Sequence, residues 1–368
     1  MGYVIVLFMI TAIIFIIVLG VLIFVHEFGH FIMAKRSGMK VEEFGFGFPP
    51  RIWGVKKGDT IYSINWIPFG GFVKILGEDG QENENPKSFA SKPAGKKAVV
   101  IVAGVVMNLL LAVVLLSIGN ITGLRVGIFD EEMAKTARDI KVQIIQVAPG
   151  SPAEEAGIGL LDEVYGFNIG GKEILVSSVK EVQDIISQNI GSEITFLVRK
   201  GNEITKTNLT PRANPPEGEG ASGIALAETG IISYPWYKAP IKGIENTAIL
   251  TVNTFIGYGT IIKNLFTTGK AGVELTGPVG IAVITGQAAR IGFTYLMQFT
   301  ALISVNLAVL NIIPFPALDG GRLLFIIIEK IKRRPISRKV ENAFNMAGFA
   351  LLILLMFYVT IKDVFKFF

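Results

Sequence analysis

Residues 3–25 carry no charged side chain, and the apolar run continues into Val25-His26-Glu27-Phe28-Gly29-His30-Phe31-Ile32-Met33-Ala34 before Lys35 and Arg36 close it. At ~1.5 Å per residue this run is long enough to cross the ~30 Å hydrocarbon of a bilayer as a single helix. Three ionisable groups inside such a helix need compensation, because each costs about 2.5–3.5 kcal/mol at bilayer depth. His26 and His30 are four residues apart, so they stand one above the other on one helix face, and Glu27 lies about 100° round from them. This is the His-Glu-x-x-His arrangement, in which two imidazoles hold a zinc ion and the glutamate moves the proton of an attacking water. The chain has only two histidines, and both are in this motif. The alternative, two imidazoles and a carboxylate packed between helices, leaves their desolvation uncompensated.

Composition agrees with a membrane location. Of 368 residues, 51% are hydrophobic, and the mean hydropathy is +0.53, which points to a polytopic membrane protein. The sequence has no cysteine, so disulfides, thiolate ligands and a cysteine nucleophile are excluded and any zinc must be held by imidazole and carboxylate. The net charge of +5 is small, and no basic, aromatic-interleaved stretch suggests nucleic acid. A signal peptide is also a poor reading of the first run: no basic residue precedes it and no small-residue cleavage site follows.

The remainder divides by composition. After the first span (1–36), residues 37–97 are mixed. Phe44-Gly45-Phe46-Gly47-Phe48-Pro49-Pro50 excludes a long helix, and 61–75 alternates like two short strands around Pro68-Phe69-Gly70-Gly71, predicting a membrane-associated β-hairpin. An edge strand of such a hairpin can accept an extended peptide. Residues 98–120 form a second span with Gly104 and Asn108 on one face, a pattern that helix packing alone can explain. Residues 121–213 read as an inserted α+β domain, with strands at 141–147 and 193–199 and a helix at 179–189. Residues 214–292 contain a Pro/Gly/Glu-rich linker and a moderately apolar stretch, 247–266. A third span, 293–331, is interrupted at Asn311-Ile312-Ile313-Pro314-Phe315-Pro316-Ala317-Leu318-Asp319-Gly320-Gly321-Arg322, and a fourth occupies 342–362. Counting four spans places Lys35, Arg36, Lys96, Lys97 and the basic residues from Lys330 to Lys339 on one side, in accord with the positive-inside rule; a fifth span at 247–266 would separate them. That stretch is therefore read as an amphipathic segment on the outer surface. Both termini and the α+β domain are then expected outside, and the metal site near the cytoplasmic face. Two prolines and two glycines in the third span free backbone groups that protein or cavity water must satisfy. Asp319, on the same side as His30, is the natural third ligand for a catalytic zinc with one open position; pairing with Arg322 or Lys330 is the competing use.

With these residues in hand, the chain resembles the site-2 proteases, intramembrane zinc metalloproteases, and within them the bacterial regulator of sigma-E protease type with a single PDZ domain. The resemblance rests on His26-Glu27-Phe28-Gly29-His30, Pro68-Phe69-Gly70-Gly71-Phe72-Val73, Gly277-Pro278-Val279-Gly280-Ile281 and the Leu-Asp-Gly core of 311–322, in family order. The run Ala148-Pro149-Gly150-Ser151-Pro152-Ala153-Glu154-Glu155-Ala156-Gly157-Ile158 is similar to the PDZ domains of bacterial proteases, with Leu161-Asp162 where those have Gly-Asp. The resemblance implies that His26, His30 and Asp319 bind Zn²⁺ and that Glu27 is the general base. It also implies that Gly70 and Gly71 lie in the strand that receives substrate, and that Asn108, Asn311 and Pro314 help to hold it. The family's Gly-Pro-x-x-Asn pattern reads Gly104-Val105-Val106-Met107-Asn108 here, without the proline. The implied location is the bacterial inner membrane. The implied partners are membrane lipid and transmembrane protein substrates, such as an anti-sigma factor or signal-peptide remnants. A metal-dependent transporter would show two hydropathy-related halves, which this sequence lacks, and a non-catalytic PDZ scaffold gives Glu27 no role.

Overall fold

The computed structural model describes residues 2–78, 84–201, 203–269, 276–334 and 336–367. In chain order its helices are α1 (Gly2–Arg36), α2 (Ala94–Thr122), α3 (Glu131–Thr136), α4 (Pro152–Glu155), α5 (Val179–Gln188), α6 (Ala239–Thr268), α7 (Pro278–Ile291), α8 (Phe293–Ile312), α9 (Asp319–Lys332) and α10 (Arg338–Phe367). Its strands are β1 (Val41–Lys57), β2 (Thr60–Ile75), β3 (Leu124–Gly127), β4 (Arg138–Val147), β5 (Glu163–Ile169), β6 (Lys172–Leu175), β7 (Ile194–Lys200), β8 (Glu203–Leu209) and β9 (Ile224–Ile232). These fall into two compact units, one of 1–118, 240–289 and 296–368, the other of 119–239 with 290–295.

In the first unit, four helices hold stretches long and apolar enough to cross a membrane: Met9–Arg36, Ala94–Thr122, Phe293–Ile312 and Lys339–Phe365. Helix α6, which contains 247–266, is not among them. Close approach of α1 and α2 depends on a missing side chain, since a Cβ on Gly29 would collide with the Ala103 carbonyl oxygen. Without a hydrophobic drive between helices in lipid, small residues of this kind set the contacts.

The β elements of this unit correct the hairpin read over 61–75. Strand β2 pairs with β1, not with itself. Residues Glu43 to Phe46 are matched twice, once with Ile61 to Ile64 and once with Lys74 back to Gly71, while Arg51 to Lys57 fold back on Asn65 to Thr60. The 41–48 segment thus lies between the two halves of β2, and the 71–75 segment is left at an edge. Alternation revealed that 61–75 is extended, but the Gly/Pro-rich partner carries no such local signal. Phe44 docks the sheet onto α1, its ring 4.7 Å from Phe31 and 5.3 Å from Phe24. Ile52, Trp53, Ile64 and Trp66 remain exposed.

Between α8 and α9 the helix is interrupted at 313–318. The freed backbone is satisfied locally, as a low-dielectric setting demands: Phe315 N–H donates to Ile313 O at 2.7 Å, Gly321 N–H to Leu318 O at 3.1 Å, and Ala317 N–H to the Asn345 amide oxygen of α10 at 3.2 Å. Asp319 therefore becomes the first residue of α9. Helix α10 also caps α7, where Gly280 N–H donates to the buried carboxylate of Asp363 at 2.7 Å. A Cβ on Gly277 would fall 2.9 Å from that carboxylate.

The second unit has a sheet of order β3-β9-β4-β5-β7-β8, with β6 paired to β5. Its core gathers Val142, Ile144, Val164, Phe167, Val182, Phe196 and Val198, and the Phe167 and Phe196 rings meet edge-on at 4.6 Å. Helices α4 and α5 start as their sequences require: the Ser151 and Ser178 hydroxyls accept from the N–H groups of Glu154 and Glu181, satisfying amides that have no partner within the helix. Leu161 adopts φ +69, a left-handed conformation that glycine takes more readily.

Candidate metal centre

Residues from three separated stretches meet at the middle of the first unit. One oxygen of the Asp319 carboxylate lies 3.0 Å from His26 Nε2 and 3.3 Å from His30 Nε2, and the two Nε2 atoms are 3.1 Å apart. Both imidazoles are buried. Four-coordinate zinc with ligands at about 2.0–2.2 Å has ligand-to-ligand edges of about 3.3–3.6 Å, so this triangle needs to widen by only a few tenths of an ångström to take such an ion. The carboxylate of Glu27 is also within ligand range of the two imidazoles, the three groups converging inside 4.8 Å.

Backbone and amide groups orient these rings. His30 Nδ1 donates to the Val100 carbonyl at 2.8 Å, which leaves the Nε2 lone pair directed at the cluster. His26 Nδ1 faces the Asn108 side-chain amide at 3.4 Å, while the buried Asn108 Oδ1 has no partner. Asn108 thus borders the His26 ring on the side opposite the Nε2 that meets Asp319. Both histidines direct their Nε2 atoms to the space between them and Asp319. Gly104 keeps that space open, since a Cβ there would fall 2.6 Å from His30 Nε2 and 2.7 Å from His26 Nε2. Asn108 is itself tied down, its carbonyl accepting from Ser304 Oγ of α8 at 2.8 Å. On donor chemistry and on space, the residues fit a zinc ion.

Glu27 is turned toward the sheet. Val73, in the edge segment of β2, donates its N–H to Glu27 Oε2 at 3.2 Å. Gly70 and Gly71, three and two positions before Val73, lean on α1, where a Cβ would meet Ile23 at 2.6 Å and Phe24 at 3.7 Å respectively. Asn311 stands in the last turn of α8 and Pro314 in the break; neither takes part in the hydrogen bonds of the cluster. Arg322 pairs with Glu78 and not with Asp319. The structure thus brings His26, Glu27, His30, Asp319 and Asn108 together and puts Gly70 and Gly71 along the adjoining edge; among the described contacts none joins Asn311 or Pro314 to the cluster. Val100 O, Val73 N–H, Ser304 and Gly104 complete the setting. Of these only Gly104 had a sequence signal, its four-residue spacing from Asn108.

The profile of Peptidase family M50 matches residues 14–355. A Clostridium perfringens protein is 36% identical over 346 residues, covering 93% of this chain and 95% of its own length. The zinc metalloprotease RasP of Oceanobacillus iheyensis is 31% identical over 441 residues, covering 97% of this chain and 99% of its own. The regulator of sigma-W protease RasP of Bacillus subtilis is 30% identical over 443 residues, covering 97% and 99%.

Proposed function

The chain belongs to peptidase family M50, and from that premise we propose that it is an intramembrane zinc metalloprotease that cuts transmembrane protein substrates at the His26, His30 and Asp319 centre. The observation that carries this reading is the triangle of two Nε2 atoms and one carboxylate oxygen with edges of 3.0–3.3 Å beside the carboxylate of Glu27. His26, His30 and Asp319 would hold the zinc, which when bound supplies a Lewis acid that acidifies water and polarises a carbonyl. Glu27 accepts the proton of the attacking water and returns it to the leaving amine. A helical substrate hides its carbonyls in its own hydrogen bonds and must be unwound. The Gly71-to-Ile75 edge offers a strand to pair with, and Asn311 and Pro314, at the helix break, would help to hold the unwound segment. The exposed Trp53 and Trp66 suit a sheet resting at the membrane interface. In this reading the 121–213 segment is a PDZ domain outside the cytoplasm that screens or engages substrate ectodomains, the membrane is the bacterial inner membrane, and an anti-sigma factor or a signal-peptide remnant is a fitting substrate.

The decisive test is Glu27→Gln. The amide keeps the shape and cannot take the proton, so zinc should stay near about one per chain while cleavage of a transmembrane peptide falls roughly 10²–10⁴-fold. Cleavage at the wild-type rate would remove Glu27 from the mechanism. Topology has its own test, because any introduced cysteine is the sole thiol. Ser192 and Ser337 are both exposed. An impermeant thiol reagent added to intact cells should label Ser192→Cys and spare Ser337→Cys; labelling of both would put an additional span between them.

A further inference from the structure

We propose that the junction between the start of α2 and the end of α9 is a binding site for the phosphodiester headgroup of an anionic membrane phospholipid. A cavity of about 230 Å³ lies there, lined by Ala94, Lys97, Glu329, Lys330, Arg333 and Arg334. Four cations thus surround one carboxylate, and that carboxylate is already engaged, Glu329 Oε1 accepting from Ile336 N–H at 3.0 Å. Among the described residues none of the four cations forms an ion pair. Like charges held around a concave space repel one another and raise the local potential, and an anion in the cavity relieves both. Helix α2 adds the positive end of its dipole, since Ala94 is its first residue.

The surroundings select a lipid over a soluble phosphate. The cavity sits at the mouth of a helix long and apolar enough to span the membrane. On α9, the exposed apolar side chains Ile327 and Ile331 continue from it within about two turns. A headgroup in the cavity would lay its acyl chains along this apolar surface, where a free phosphate gains nothing. Basic pockets between helix ends are the recurring solution for anionic headgroups. The site is separate from the metal centre and does not depend on its chemistry.

The test uses purified full-length protein in neutral detergent, titrated with dioctanoyl phosphatidylglycerol and read by native mass spectrometry. Dioctanoyl phosphatidylcholine, inorganic phosphate and glycerol 3-phosphate form the comparison arms. The wild type should bind phosphatidylglycerol saturably and in preference to the other three. Arg333→Gln and Arg334→Gln should each weaken it roughly fivefold, and their combination with Lys330→Gln roughly a hundredfold. A control triple change at exposed Lys56, Lys57 and Lys238 should leave it unaltered, and thermal unfolding without lipid verifies that each variant is folded. If the triple variant proves unstable, the single Arg334→Gln variant decides. Undiminished binding by the variants, an equal loss in the control triple, or equal binding of phosphatidylcholine would overturn the proposal. Phosphate or glycerol 3-phosphate binding as tightly as the lipid would overturn its lipid identity.

Discussion

The helical unit that carries the metal centre and the α/β unit of 119–239 use burial in opposite senses. In the α/β unit the large side chains buried most completely are apolar, with Phe167, Phe196, Val182 and Val198 at zero exposure. In the helical unit Met9, Ile13, Ile17, Leu110, Val114 and Leu354 are exposed, while His26, His30, Asn108, Thr285 and Ser304 are buried. Two solvents explain the inversion. Water drives apolar groups inward, worth roughly 25 cal/mol per Å² of apolar area. Hydrocarbon provides no such drive, so polar and small residues determine which helix faces meet. A consequence is that around α1 and α2 the buried polar residues serve both helix packing and the candidate metal centre.

That contrast can be broken by substitution, beginning with its most costly point. If Asp319 is the proposed third ligand, Asp319→Ala leaves two imidazoles, so zinc content and cleavage should both collapse; unchanged zinc by atomic absorption would mean that another carboxylate is the ligand. Phe196→Ala should cost the α/β unit about 3–5 kcal/mol, seen as early loss of amide protection in that unit, with zinc retained. Loss of zinc on this change would show that the two units do not separate chemistry from stability. Asn108→Ala takes away the group that fixes the His26 ring, and should weaken zinc affinity about 10–100-fold in a chelator competition. If affinity is untouched, Asn108 serves helix packing only. Ile17→Ala, at a lipid-facing position with 59% exposure, should change thermal stability by less than about 0.5 kcal/mol. A cost of the size seen at Phe196 would mean that Ile17 faces protein and not lipid.

How much of this could be read from residues follows from how local each signal is. The His26, Glu27 and His30 constellation is a four-residue spacing on one helix, and the break before Asp319 is spelled out by Pro314, Pro316, Gly320 and Gly321. Those features need no partner to be recognised. The Ser151 cap of α4 is equally local. The 61–75 segment was legible as extended, yet its pairing was not: the match of 43–46 to both halves of β2 is set by packing of Phe44 against Phe24 and Phe31, which no period-two pattern records. The Val100 carbonyl that orients His30 and the Val73 amide that holds Glu27 are backbone groups, the same in every residue, and Ser304 meets Asn108 across 196 positions. None of these leaves a mark in composition or spacing.

The cap on α7 bears on how the protein is made. The amide of Gly280 receives its partner from Asp363, 83 positions later in the chain. During synthesis, which proceeds from the N-terminus at about 5–20 residues per second, α7 therefore begins its existence with this start unsealed. It can be sealed only when the distal part of α10 has emerged from the ribosome. For at least several seconds, the order of translation and not the final energy decides what that helix contacts, and water or a chaperone must serve in place of the carboxylate.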